Sequence, residues 1–199
     1  LGSVVLPDTA QSLGIGAFSN NKELVNVEFK AEKVKVGKYA FAGCTELRSV
    51  DINASVLSAY AFYGCTQLEK VRLGADVSVI GEYAFVGTNV AKFYVYSANR
   101  FIETSADGVY IYGKTNNELI ATAPKGVGET ANLSSEIKSI SKGAFSGNTT
   151  LKELKAEGVI SVGDYAFSDC YNLATITLGK LKTIGSYAFA NTAITSTPD

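Results

Sequence analysis

The side chains able to do covalent or metal chemistry in this sequence are few, and their spacing works against it. Cys44, Cys65 and Cys170 are the three thiols of the 199 residues, and histidine is absent. A nucleophilic thiol needs a neighbouring base to become thiolate, and histidine is the side chain that titrates near neutrality without help. Zinc takes about four ligands held close together, whereas these cysteines are 21 and 105 residues apart. A glycosidase needs two facing carboxylates at a defined separation, and the 19 Asp and Glu residues form no recognisable motif. The sequence predicts no catalytic residue, no metal site and no cofactor.

Gly108-Val-Tyr-Ile-Tyr-Gly113-Lys114-Thr115 does match the letters of a phosphate-binding loop. That loop requires a preceding strand, a flexible stretch whose amides face phosphate, and a following helix. Here the four residues between the glycines alternate as a strand would. The stretch after them is short, contains Asn116-Asn117 and meets Pro124. The match is read as structural.

The elements that position these residues are written in a repeat. Ala-Phe occurs with Phe at positions 18, 41, 62, 85, 145, 167 and 189, at spacings of 23, 21, 23, 60, 22 and 22, so seven of the ten Phe share one phase. Four residues before each Ala stands an apolar residue: Leu13, Val36, Leu57, Ile80, Ile140, Val162 or Ile184. The next position is Gly14, Gly37, Gly81, Gly163 or Gly185, with Ser58 and Ser141 in the other two. After the Phe comes an apolar alternation, as in Leu68-Glu-Lys-Val71-Arg-Leu73, with the period of two that marks a half-buried strand. Each repeat reads as one coil that cannot bury its apolar side alone, so that stacked coils share a core and the Phe rings form a ladder. Gly at the fixed position implies unusual dihedrals or a close approach of backbones. The three cysteines all fall three residues after the repeat Phe, in a slot that elsewhere holds Asn21, Thr88, Asn148 and Thr192. The expectation is a half-buried thiol at a coil corner. A disulfide between Cys44 and Cys65, on adjacent coils, is the less favoured alternative.

Ile80-Gly-Glu-Tyr-Ala-Phe-Val-Gly87 and Ala40-Phe-Ala-Gly-Cys-Thr-Glu-Leu-Arg-Ser-Val-Asp-Ile52 closely resemble the BspA-like leucine-rich repeats of bacterial surface proteins. The resemblance implies an α/β but strand-dominated leucine-rich-repeat solenoid. Its strand ladder would lie on the concave side and its short helices or turns on the convex side, in about seven coils. It also implies an extracellular or cell-surface location and a role in adhesion or protein binding. Tyr39, Tyr60, Tyr83, Tyr165 and Tyr187 precede the Ala-Phe pairs. They read as packing on the convex side, with a carbohydrate-stacking stripe as the alternative.

The whole chain, 1–199, reads as a single repeat domain, with regular coils over 1–96 and 136–199 and an irregular insert over about 97–135. Within the insert, Gly108-Val-Tyr-Ile-Tyr112 and Glu118-Leu-Ile-Ala-Thr122 flank a polar Gly/Asn cluster, the pattern of a β-hairpin. Its second strand is expected to serve as an eighth, irregular coil. Ser3-Val-Val-Leu-Pro-Asp8 and Thr197-Pro-Asp199 fall in repeat phase without obvious polar caps, so a piece of a longer array is expected.

Composition narrows the partners. A net charge of −1 and a pI near 5.6 do not suggest nucleic acid or an anionic membrane. No apolar run approaches the roughly 18 residues of a spanning helix, so no membrane insertion is expected. The absence of Met is read as processing or excision, which leaves the missing signal peptide uninformative about export. A monomer is expected. Strand alternation places one outward column at Glu28, Asp51, Arg72, Tyr94, Lys155 and Thr177, and a second at Asn26, Ser49, Lys70, Lys92, Glu153 and Thr175. An acidic start thus gives way to a basic, Tyr-bearing centre: Lys70, Arg72, Lys92, Tyr94 and Tyr96. These five residues, with the neighbouring hairpin, are the candidate ligand site for an extracellular protein, or for a glycan as the alternative. A solvated face on a structural spacer is the competing reading.

Overall fold

The computed structural model describes residues 2–195. Thr197-Pro-Asp199, expected in repeat phase, lies outside the described residues. Each coil carries a front strand, a short back strand and a tight turn. Front strands Ser3–Leu6, Asn26–Phe29, Ser49–Ile52, Lys70–Leu73 and Lys92–Val95 pair in parallel as one sheet. Thr130–Asn132, Glu153–Ala156 and Thr175–Leu178 form a second front sheet. The inward residues of these strands, such as Val50, Ile52, Val71 and Leu73, are fully buried, which is why period-two segments lie down as strands here.

No helix occurs among the described residues, so none is long and apolar enough to cross a membrane. The expected convex helices are replaced by turns, and the class is a strand-only solenoid of about eight turns rather than α/β. The physical reason lies in the turn backbone. Two residues before each repeat Phe, φ is positive: 59° at Tyr39, 61° at Tyr60, 58° at Tyr83, 54° at Tyr165 and 55° at Tyr187, with Gly16 and Gly143 in the same slot. Two residues after the Phe, φ is positive again, at Asn20, Gly43, Gly64, Gly87, Gly147, Asp169 and Asn191. A chain that enters the left-handed region every fourth residue cannot propagate a right-handed helix.

This conformation instead turns alternate N–H groups toward the next coil. Tyr39, Phe41 and Gly43 donate to the carbonyls of Ala59, Ala61 and Tyr63 at 3.2, 2.9 and 2.8 Å. Tyr60, Phe62 and Gly64 donate to Glu82, Ala84 and Val86, each at 2.9 Å. Inside the turns the Phe rings stack, with centroids 5.4 Å apart for Phe18–Phe41, 5.2 Å for Phe41–Phe62 and 5.8 Å for Phe62–Phe85. Outside, Tyr60 lies between Tyr39 and Tyr83 at 4.7 and 4.8 Å. The fixed Gly of the repeat is explained by close approach and not by dihedrals. At Gly81, for example, a Cβ would run into the backbone of Ser58 and Ala59 in the preceding coil.

The insert forms a three-stranded antiparallel unit, Ile102–Thr104, Tyr110–Gly113 and Glu118–Thr122. Its last strand then pairs in parallel with Ser139–Ile140 and so enters the back sheet as a coil strand. That extra coil lacks an Ala-Phe turn. In its place the Thr122 hydroxyl donates to the Ala144 carbonyl at 2.8 Å. The Phe ladder breaks here: Phe85 packs on Phe93 and Phe145 on Tyr110. The core divides correspondingly, with Ile102, Ile111 and Ala123 on one side and Val109 and Leu119 on the other. Asn99, only 1% exposed, anchors the entry to the insert. Its amide donates to Gly74 and Val77 carbonyls at 2.8 and 2.9 Å, and its oxygen accepts from the Phe101 and Ile102 N–H groups.

A left-handed backbone costs a non-glycine residue about 1–2 kcal/mol, which the Tyr stack and the turn hydrogen bonds offset. Tyr60→Ala is therefore expected to be less stable than Tyr60→Gly by about 1 kcal/mol in denaturant unfolding. An order with Ala above Gly would contradict the turn's backbone assignment.

Candidate functional site

The front sheet places the outward columns in register. Asn26, Ser49, Lys70 and Lys92 are successive partners, as are Glu28, Asp51, Arg72 and Tyr94. The later members sit on the other front sheet, where Glu153 pairs with Thr175 and Lys155 with Thr177. The columns are not continuous as expected. Thr130 and Asn132 of the extra coil intervene, and the first sheet ends at Lys92–Val95. The N–H of Phe93 is taken up by the Gly108 carbonyl at 2.8 Å, so a loop of the insert, and not a strand, closes that edge.

The five candidate residues divide between two depressions. Arg72 and Tyr96 border one of about 370 Å³, together with Asn26, Glu28, Asp51 and Asn53. Lys70, Lys92 and Tyr94 border another of about 430 Å³, together with Glu69, Asn89 and Lys125. The centre is less basic than its composition suggests, because Arg72 is paired across the strands with Asp51 at 3.0 Å. The hydrogen bond to Asp51, and then its charge, hold the guanidinium above its ordinary pKa. Lys70, Lys92 and Lys125 make no ion pair among the described residues. Tyr94 and Tyr96 are each 54% exposed. Lys125 is not legible as a site residue in the sequence, since it lies after Pro124 in a segment without periodicity. It is placed by its own N–H, which donates to the Val90 carbonyl at 2.9 Å, and by Gly126 packed against Ala91.

The insert supplies the wall beside Lys92. In its turn, Asp107 accepts from the Ser105 hydroxyl at 2.5 Å and from the Val109 N–H at 3.0 Å. These bonds, and to a lesser degree Lys92, hold the Asp107 carboxyl below the usual carboxylate range. The phosphate-loop letters are spent on structure. Gly113 ends a hairpin strand, the Lys114 N–H donates to Phe101, and the Lys114 Nζ donates to the Asn99 carbonyl at 2.6 Å.

The thiols are more buried than expected, each at 0% exposure. Their S–H groups donate to the Phe carbonyl of the preceding coil: Cys44 to Phe18, Cys65 to Phe41 and Cys170 to Phe145, at 3.1, 3.0 and 3.2 Å. Thr88, in the same slot, bonds its own coil's Phe85 carbonyl at 2.7 Å. All three cysteines are free. Burial pushes the Cys170 pKa up to about 12. The neighbouring Cys44 thiol, and then burial, hold Cys65 above its ordinary value, while the Cys65 thiol lowers Cys44. No group of three or more His, Cys, Asp or Glu comes together as a metal site among the described residues. The Tyr stripe spends its ring faces on itself, with Tyr39–Tyr60, Tyr60–Tyr83 and Tyr165–Tyr187 stacked and Lys38 over the first pair.

A profile described as BspA type leucine rich repeat region, in six copies, matches residues 1–106 and 128–197. Similar solved structures include the pneumococcal vaccine antigen PcpA, with 21% identity and TM-score 0.72 over 97% of this chain and 55% of that one. A leucine-rich repeat protein from Eubacterium ventriosum has 16% identity and TM-score 0.66 over 94% and 62%. A leucine rich cell surface protein from Faecalibacterium prausnitzii has 20% identity and TM-score 0.63 over 96% and 64%. At these identities the likeness is one of fold. The chain spans somewhat more than half the length of each of these structures. No curated protein matches it at a significant level.

The buried, backbone-bonded thiols predict that Ellman's reagent labels none of Cys44, Cys65 and Cys170 in the folded protein at neutral pH. All three should react once guanidinium unfolds it. Rapid labelling of any of them in the native state would contradict the turn geometry.

Proposed function

The chain belongs to the BspA-type leucine-rich-repeat family, and from that premise we propose that it is a non-catalytic binding module at a bacterial cell surface. It recognises an extracellular protein through the front sheet. Repeat solenoids bind on extended surfaces built by successive coils. The observation that carries this reading is the half-exposed pair Tyr94, on the last strand of the parallel five-stranded sheet, and Tyr96, just beyond that strand with its N–H on the Leu73 carbonyl, beside the depressions that hold Lys70, Lys92 and Arg72. An aromatic side chain held in place by a rigid strand loses little entropy on contact, the property that makes Tyr a frequent interface anchor. The surface location is part of the proposal. It is supported by the description of the Faecalibacterium prausnitzii structure as a cell surface protein.

A non-catalytic role is supported by the state of the reactive groups. The thiols are buried and bonded, and one of the front-face carboxylates, Asp51, is paired with Arg72. The Tyr stripe of the turns is disfavoured as a sugar-stacking surface, because Tyr60 has its ring faces covered by Tyr39 and Tyr83.

The test is surface plasmon resonance of the chain against extracellular-matrix proteins and glycans at low and physiological salt. Saturable binding to a protein is expected, with Tyr94→Ser and Tyr96→Ser together weakening it about tenfold or more. Binding to glycans alone would replace the protein ligand by a sugar. Absence of binding to the whole panel would overturn the recognition role in favour of a spacer.

A further inference from the structure

We propose that the depression bounded by Lys70, Lys92, Lys125 and Tyr94 is an acidic-peptide site, where carboxylates of an extended polypeptide meet three lysine ammonium groups. This deepens the reading of the front sheet as a protein-binding face and rests on it. Arg72 lies outside the anion site: its charge is committed to Asp51.

The site exists because the front ladder is interrupted. In the regular coils the next front strand would continue beside Lys92–Val95. Here the Gly108 loop closes that edge at Phe93, and residues 123–127 pass beside the start of the strand, with the Lys125 N–H on Val90 and Gly126 against the Ala91 carbonyl. The step so formed is a depression of about 430 Å³ and not a flat sheet, within the size range of ligand sites. Lys70 and Lys92 are register partners, so their side chains leave the same face of adjacent strands, which are spaced by about 4.8 Å. Two like charges at that spacing repel, and an incoming carboxylate relieves the repulsion. Lys125 borders the same depression and brings the third charge.

The local charge balance favours an anion. Glu69 lies on the rim, where it accepts from the Asn89 amide at 3.3 Å, and Asp107 acts on Lys92 from the insert. Neither forms an ion pair with the three lysines. The walls decide the class of anion. Ala91 and Tyr94 line the depression with the three lysines and give it a largely apolar surface, and the Asn89 amide gives one of its N–H groups to Glu69. A sulfated or uronic glycan would answer the ammonium groups but would bring few apolar groups to the apolar part of that lining. A peptide alternating carboxylates with apolar side chains satisfies both the ammonium groups and the apolar floor.

The experiment measures fluorescence anisotropy of a labelled peptide alternating glutamate with valine, with heparin and a single-stranded oligonucleotide as competing polyanions. The intact chain is used at two salt concentrations. Saturable binding that weakens with salt is expected, as is a loss of tenfold or more in Lys70→Glu/Lys92→Glu/Lys125→Glu and a change of no more than about twofold in Lys180→Gln, an exposed lysine that borders neither depression. Circular dichroism melts of both variants check that they fold. Equal binding by the triple variant, no binding by the intact chain, or tighter binding of heparin or oligonucleotide at the same lysines would overturn the peptide assignment. The matrix-protein panel separates the two readings. If the intact chain and the triple variant bind a protein equally, and Tyr94→Ser/Tyr96→Ser does not, the front-face role stands and the acidic-peptide site falls.

Discussion

A tight turn leaves backbone N–H groups pointing along the solenoid axis, where only the next coil can receive them. In this protein the turn meets that demand by entering the left-handed region on both sides of the repeat Phe. Where another such turn follows, three N–H groups donate onward, as Tyr60, Phe62 and Gly64 do to Glu82, Ala84 and Val86. Unpaired buried amides are costly, so coil depends on coil. The Phe stack beneath and the Tyr stack above are the packing that this alignment permits. Cys44, Cys65 and Cys170 belong to the same arrangement, because each thiol serves as one more donor to the preceding coil.

The insert shows what happens where the turn is missing. Its last strand joins the back sheet, yet no Phe fills the turn. Thr122 gives a single side-chain bond to Ala144, Tyr83 lies over Gly143, and Lys142 bridges Glu82 and Asp164 at 3.3 and 3.9 Å. The front ladder cannot continue across this coil, and the step it leaves beside Lys92 distinguishes the face from a uniform sheet. The irregularity and the candidate site are thus one structural event.

Much of this is legible in the residues alone. The phase of the Phe residues sets the coil, and strand alternation sets the columns Asn26–Ser49–Lys70–Lys92 and Glu28–Asp51–Arg72–Tyr94, which the register reproduces. The helices are not in the residues; they come with the family resemblance, and the positive φ values at five tyrosines exclude them. Tyr at a left-handed position has no sequence signature of its own. The clue lies in Gly16 and Gly143, which fill the same slot. The neutralised Arg72 is visible in principle, since Asp51 precedes it in the column. Lys125 is not, because nothing periodic links a residue after Pro124 to a strand more than thirty positions earlier.

Coil-to-coil bonding of this kind makes the turns among the most cooperative parts of the molecule, although turns are ordinarily the first to exchange. Amide hydrogen–deuterium exchange resolved at Phe41, Phe62 and Phe167 tests this directly. Protection of these N–H groups equal to that of Val50 and Val71 in the front strands is the predicted result. Turn amides exchanging orders of magnitude faster than the strands would contradict it, and would leave the front sheet without its scaffold.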